Sequence, residues 1–168
     1  LTRTLRSGET RLAKAELCAE IHFVRKNPGY AKFALELELP DPFFYATGQT
    51  TDEKTVISSP FTWTHINAGT APATNLVITL EGPLSNPVLK NSSTGVWIQY
   101  VGTIASGQAV VLDTKHFTCM QGEDNMISIV KHGGDAYWMI LDAGNNSMEL
   151  VTDTVGGQVT LEYHPAYF

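Results

Sequence analysis

The chain has 168 residues, a net charge of −6 and 43% hydrophobic residues, enough for one domain with a real core or for one domain plus part of another. The charge is uneven: residues 1–45 hold seven Lys/Arg, including all four arginines, against six acids, whereas residues 46–168 hold four Lys against eleven acids. The acidic part lacks the clustered cations that phosphate binding needs, which excludes nucleic acid, and the absence of a long apolar run or a signal-peptide core excludes a membrane span and reads as a soluble chain.

The first residue is Leu1, not Met, so the expectation is a piece of a longer product. Leu12, Ala15, Cys18 and His22 recur at spacings of three and four, with Thr10 as cap, and predict a helix over residues 10–24 that Asn27-Pro28-Gly29 ends. A strand over 31–39 follows, with Phe33, Leu35, Leu37 and Leu39 on one face. Pro40 and Pro42 then stop it, because proline has no N–H for a ladder. Residues 1–45 therefore read as the helix-plus-strand end of an α+β unit, too small to bury much alone. Residues 46–60 are polar and read as a linker that adds an edge strand around Thr55-Val56-Ile57.

From Phe61 to Phe168 the pattern is strands and turns. Strands are predicted at 61–66, 74–81, 86–90, 95–101, 108–113, 116–120, 125–130, 136–140, 147–152 and 157–164. Leu76, Ile78 and Leu80 share one face, as do Val159, Leu161 and Tyr163. Gly- and Asn-rich turns separate the strands. The expected architecture is mostly β: an antiparallel two-sheet sandwich over 61–168, of galectin-like or jelly-roll type, with no helix in it.

Chemistry is sparse. Cys18 and Cys119 lie far apart outside any CxxC pattern and read as two buried free thiols. The five histidines sit alone in sequence. His132-Gly133-Gly134-Asp135 is the nearest approach to a ligand cluster and reads as an exposed hairpin tip, so no metal and no cofactor is expected. The acids Asp113, Glu123, Asp124, Asp142 and Asp153 fall in turns, where they satisfy local backbone N–H groups, so a hydrolase reading finds no motif-placed pair of carboxylates. Trp63, Trp97 and Trp138 read first as packing residues. As a platform for stacking sugars they supply the runner-up function, a carbohydrate-binding module that aids attachment to a host surface.

The motifs taken in order resemble the distal tail proteins of bacteriophages with long, flexible tails, especially those infecting actinobacteria. Leu39-Pro40-Asp41-Pro42-Phe43-Phe44-Tyr45 is similar to the end of that family's ring-forming domain. Ile66-Asn67-Ala68-Gly69-Thr70-Ala71-Pro72-Ala73 is similar to the opening of its C-terminal sandwich, with Ala68 where proline is usual. Val110 to Thr114 resembles a later strand, Tyr137 to Asn146 a strand and turn, and Leu161 to Phe168 the closing segment, with Pro165 retained and His164 where arginine is usual. The resemblance implies a non-enzymatic virion protein, assembled in the host cytoplasm. Six copies would form a ring joining tail tube to tail tip or baseplate, and a galectin-like sandwich would project from it. The first strands of the ring domain are absent from this sequence.

The roles carried over are structural. Pro40 and Pro42 would set the exit of the linker, with Asp41 between them. Asn67, Gly69, Thr70 and Pro72 would open the sandwich, Gly69 and Gly144 by permitting positive φ. Asp113 and Asn145 would bond backbone in turns.

Overall fold

The computed structural model of the protein describes residues 1–134 and 138–168. Among them the chain is almost entirely strand. The first part runs through β1 (Thr2–Thr4), β2 (Thr10–Leu12), β3 (Glu16–Leu17), β4 (His22–Asn27), β5 (Tyr30–Ala34), β6 (Leu37–Glu38) and β7 (Phe44–Ala46). The second runs through β8 (Thr50–Thr55), β9 (Phe61–Asn67), β10 (Val77–Glu81), β11 (Leu84–Ser85), β12 (Val88–Asn91), β13 (Val96–Tyr100), β14 (Thr103–Ile104), β15 (Ala109–Asp113), β16 (Thr118–Gln121) and β17 (Asp124–Asn125). A 3-10 turn at Ile127–Ile129 precedes β18 (Val130–Gly133), β19 (Gly144–Val151), β20 (Gln158–Tyr163) and β21 (Ala166–Tyr167).

Two antiparallel sheets carry the core: a six-stranded one in the order β17-β16-β15-β10-β20-β8 and a five-stranded one in the order β18-β13-β12-β19-β9. Their strands alternate because side chains along a strand point to opposite faces. Ile78 and Leu80 on β10, Val110 and Leu112 on β15, and Val159 and Leu161 on β20 turn inward from the first sheet. Leu89, Ile98, Met148 and Leu150 meet them from the second, all within one buried cluster. Each such side chain contributes about 1.5–3 kcal/mol by leaving water. The outer face of the six-stranded sheet carries Thr79, Thr160, Glu53 and Glu162 in neighbouring strands, which keeps that face wetted.

A smaller sheet, β1-β2-β7-β21, joins the two ends of the chain, since Ala166 and Tyr167 pair with Tyr45 and Phe44. The guanidinium of Arg11 lies 3.4 Å from the centre of the Tyr167 ring, a cation–π contact that ties β2 to β21.

The predicted helix over 10–24 does not form. Thr10–Leu12 instead pairs with β1 on one side and β7 on the other. His22 to Asn27 then forms a hairpin with Tyr30 to Ala34. Pro28-Gly29 is the two-residue tip of that hairpin, with Asn27 Oδ1 accepting from Gly29 N at 3.1 Å, and not the end of a helix. The helical spacing rested on only a few apolar positions. Phe23 and Val24 favour strands, and the tip residues fit a hairpin, so cross-strand pairing wins. The expected strand 31–39 is broken into β5 and β6, and the edge strand forms at Thr50–Thr55, ahead of its expected position. The expected strand 125–130 is the 3-10 turn and the start of β18, and of 136–140 only 138–140 falls among the described residues, outside any strand. Cys119 is buried, its thiol pushed up to about 11 by burial, whereas Cys18 is exposed and donates to Glu36 O at 3.3 Å.

Candidate functional site

A half-buried polar cluster, with His65 and Tyr163 buried at its centre, joins the open edges of the two main sheets. Asp52 and Lys54 face inward from β8, and Trp63 and His65 face inward from β9. Asp52 Oδ2 accepts from Trp63 Nε1 at 3.1 Å and meets His65 Nδ1 at 2.7 Å, while Oδ1 pairs with Lys54 Nζ. A carboxylate only accepts, so Nδ1 carries a proton, and the Tyr163 hydroxyl, 2.9 Å away, closes the chain on Nε2. Burial pushes the Tyr163 hydroxyl up to about 12, helped by the negative charge of Asp52 and by Tyr167. Burial alone would raise Asp52, yet the hydrogen bonds and charges of Lys54 and His65 outweigh it and hold the carboxyl below the usual range. An inward-pointing charged pair on an edge strand also opposes edge-to-edge pairing with another sheet.

Asp41 lies between the exposed Pro40 and Pro42 and accepts from Phe43 N at 3.1 Å and from the Tyr45 hydroxyl at 2.7 Å. That hydroxyl is pushed up to about 12 by burial and by the Asp41 hydrogen bond and charge. It accepts in turn from Asn75 Nδ2 at 3.3 Å, which ties the end of the first part to the sandwich. Asn67 is buried. Its amide donates to Ala71 O and Leu141 O at 3.1 and 3.3 Å and its Oδ1 accepts from Gly69 N at 3.0 Å. Gly69 does not adopt a left-handed conformation; its reason is space, because an added Cβ would lie 2.9 Å from Ala166 N and closer still to Ala166 O. Thr70 Oγ1 accepts from Phe168 N at 3.2 Å, Pro72 is half-buried, and the buried Pro165 accepts from Ala46 N at 2.9 Å. Gly144 does take a positive φ of 85°.

Asp113 caps its turn as expected, accepting from Lys115 N and His116 N at 2.9 and 3.0 Å. Asn145 does not; it is exposed on β19, and the neighbouring Asn146 does that work. Buried Asn146 bonds Asp142 N, Asp142 O and Gly144 O, and its Oδ1 accepts from Asn91.

The three tryptophans share no platform. Trp63 faces the inside of the five-stranded sheet, and Trp97, opposite Lys90 and Gly133, faces its outside. Trp138 is only 7% exposed, under Phe117. The indole of Trp97 lies across Gly133, whose Cβ, if present, would meet it at 2.8 Å. His132 stands in β18, not in a tip, with its ring 6.1 Å from Trp138. Asp135 and Tyr137 lie outside the described residues. Among the described residues no three His, Cys, Asp or Glu converge on a metal-sized site, and no helix is long and apolar enough to cross a membrane.

The least satisfied surface is the ribbon of β3 to β6. Its pairs, Glu16–Leu17 with Leu37–Glu38 and His22–Asn27 with Tyr30–Ala34, bond to no other strand. Phe23 and Phe33 stand directly opposite one another, each 66% exposed, with Leu17, Leu35 and Leu37 also open. The ribbon is the feature that a helical reading of this segment hides. The Asp52–His65–Tyr163 chain was equally hidden, because its members lie up to 111 positions apart, although strand alternation places Asp52 inward once β8 is paired.

The sequence profile of the family described as siphovirus-type tail component, C-terminal domain, matches residues 68–167. Among curated proteins no relative matches. A solved structure, the crystal structure of the SPP1 Dit protein (gp 19.1), described as a paradigm of hub adsorption apparatus in phages infecting Gram-positive hosts, superposes with a TM-score of 0.63 at 15% identity. The match covers 95% of this chain and 61% of that one, so the present chain spans about three-fifths of that protein's length. At that identity the likeness speaks to the fold alone. The family match takes in most of the chain, from the Asn67 turn to the final strand that closes on Tyr45, and this chain therefore belongs to the siphovirus-type tail components.

Proposed function

We propose that the protein is a structural ring component at the distal end of a phage tail, six copies closing a ring that links tail tube to tail tip. The membership in the tail-component family supplies the setting. The observation that carries the ring is the uncovered ribbon. An isolated two-stranded hairpin is marginal in water, and this one leaves Phe23, Phe33, Leu35 and Leu37 in solvent, so it gains by packing on another copy. Closed rings arise when one surface of a subunit meets a different surface of the next. Charge favours the β4–β5 hairpin as the contacting end of the ribbon: residues 22–34 carry Arg25, Lys26 and Lys32 and no acid, while residues 46–168 carry a net −7, so that hairpin and the acidic sandwich attract. We read residues 1–45 as the ring-side part, 46–60 as the connection, which also lends β8 to the six-stranded sheet as its edge strand, and 61–168 as the outward sandwich. The hub role described for the SPP1 protein fits this assignment.

Chemical cross-linking of the full chain tests the ribbon's role. The double substitution Phe23→Ser and Phe33→Ser should remove the higher bands and leave the melting of the sandwich unchanged, because neither ring touches its core. Equal ladders from both proteins would refute a ring built through the ribbon.

A further inference from the structure

A different surface, at one end of the sandwich, combines strain, cavities and charge. Phe117 holds a φ of +54°, in the left-handed region where a bulky side chain costs about 1–3 kcal/mol and is found mainly at ligand clamps and functional sites. The turn around it is over-determined. Asp113 grips Lys115 N and His116 N, and meets His116 Nδ1 at 2.7 Å. Thr114 Oγ1 accepts from Leu76 N and donates to Thr74 O at 2.8 and 2.6 Å. The consequence is a ring 55% exposed, set edge-on to Trp138 at 5.6 Å.

Two cavities share Phe117 and Trp138 as a common wall. One, of about 340 Å³, is otherwise lined by Ile127, Val130 and His132 and is mainly apolar. The other, of about 250 Å³, adds Thr74, Asn75 and Lys115. Among the described residues Lys115 has no carboxylate within ion-pair reach, because Asp113 is occupied by the turn. A lysine with no acidic partner among the described residues, beside an apolar slot, calls for a ligand that is apolar at one end and anionic at the other. Sugars fit less well, since among the described residues the larger of the two cavities offers hydroxyl groups only the His132 imidazole.

We propose that this double cavity docks an acidic segment of another protein, seating one large apolar side chain against Phe117, Ile127 and Trp138 and placing a neighbouring carboxylate on Lys115. Anchor residues that fill pockets in this way carry most of an interface's energy. The docking does not rest on the ring assignment, since it uses no residue of the ribbon.

The test uses the full, isotope-labelled chain and two probes in NMR titration: N-acetyl-L-tryptophan, with ring and carboxylate, and its amide, which lacks the charge. The free acid should shift the signals of Phe117, Ile127, Val130 and the Trp138 indole saturably, and the amide should bind about 1.4- to five-fold more weakly, as the loss of an exposed ion pair implies. Lys115→Ala should bring the two probes level. Phe117→Asn, a residue that tolerates left-handed φ, should keep the melting temperature and lose the shifts. The proposal is overturned if neither probe shifts these signals, if acid and amide titrate alike on the unaltered chain, if Phe117→Asn folds and still binds, or if N-acetylglucosamine moves the same signals at lower concentration.

Discussion

Tyr163→Phe is the cleanest perturbation of the clamp between the sheets. It removes one oxygen and keeps the ring, which lies 5.6 Å from the His65 ring in an edge-on contact. The hydroxyl reaches His65 Nε2 at 2.9 Å and Ile66 O at 3.5 Å; the second is too long to count for much. The change therefore deletes one good hydrogen bond. A typical bond contributes about 0.5–1.5 kcal/mol, and a buried group left unsatisfied costs about 1–3 kcal/mol. His65 is only 4% exposed, and with Nδ1 held by Asp52 its Nε2 can turn to nothing else, so the upper part of that range applies. We expect a loss of about 1–3 kcal/mol, and a fall in Tm of roughly 2–4 °C for each kcal/mol in a chain of this size. Urea unfolding followed by tryptophan emission measures it: Trp63 and Trp138 sit in or against the core, so the signal follows the sandwich. The midpoint should fall at constant m-value. A change below about 0.3 kcal/mol, well under one hydrogen bond, would refute the claim that this contact fastens the two edges.

Acid should loosen the same clamp. Because the folded pKa of Asp52 is lowered, its contribution is fully present above the unfolded carboxyl value near 3.9 and is lost as pH falls through the lower folded value. Asp52→Asn should flatten that part of an acid-denaturation curve while costing stability at neutral pH. Gly69→Ala forces a Cβ against the Ala166 backbone and should cost about 1–3 kcal/mol by overpacking; hydrogen exchange should show faster opening at Ala46 and Ala71, whose amides bond Pro165 O and Ala166 O. Leu150→Ala, at a fully buried site on β19, should cost about 2–5 kcal/mol in the same urea assay.

The sandwich was largely legible in the sequence because its signal is local. Strict alternation at Leu76-Ile78-Leu80 and at Val159-Leu161-Tyr163 fixes both the strands and the faces they bury, and Gly- or Asn-rich turns bound them. The first part was not legible in that way. Its strands are two to six residues long and bury little, so there is no alternation between core and water to read, and a few coincidental three- and four-residue spacings imitated a helix. The site residues divide on similar lines. Asp113 could be placed because a turn aspartate bonds its own neighbours. Gly69 was recognised by position but for the wrong reason, since the approach of Ala166 is a contact 97 positions away that no local pattern encodes. The Asp52–His65–Tyr163 chain and the strained Phe117 are likewise products of tertiary pairing.

Assembly of this chain into a closed ring can be measured directly. The direct measurement is the mass of the full chain in solution by size exclusion with light scattering, with negative-stain images of the same fractions. Ring closure gives a species of about 110 kDa, six chains of 18.4 kDa each, with six-fold closed outlines. A mass of one chain at all concentrations, in the absence of any ring in the images, would contradict it.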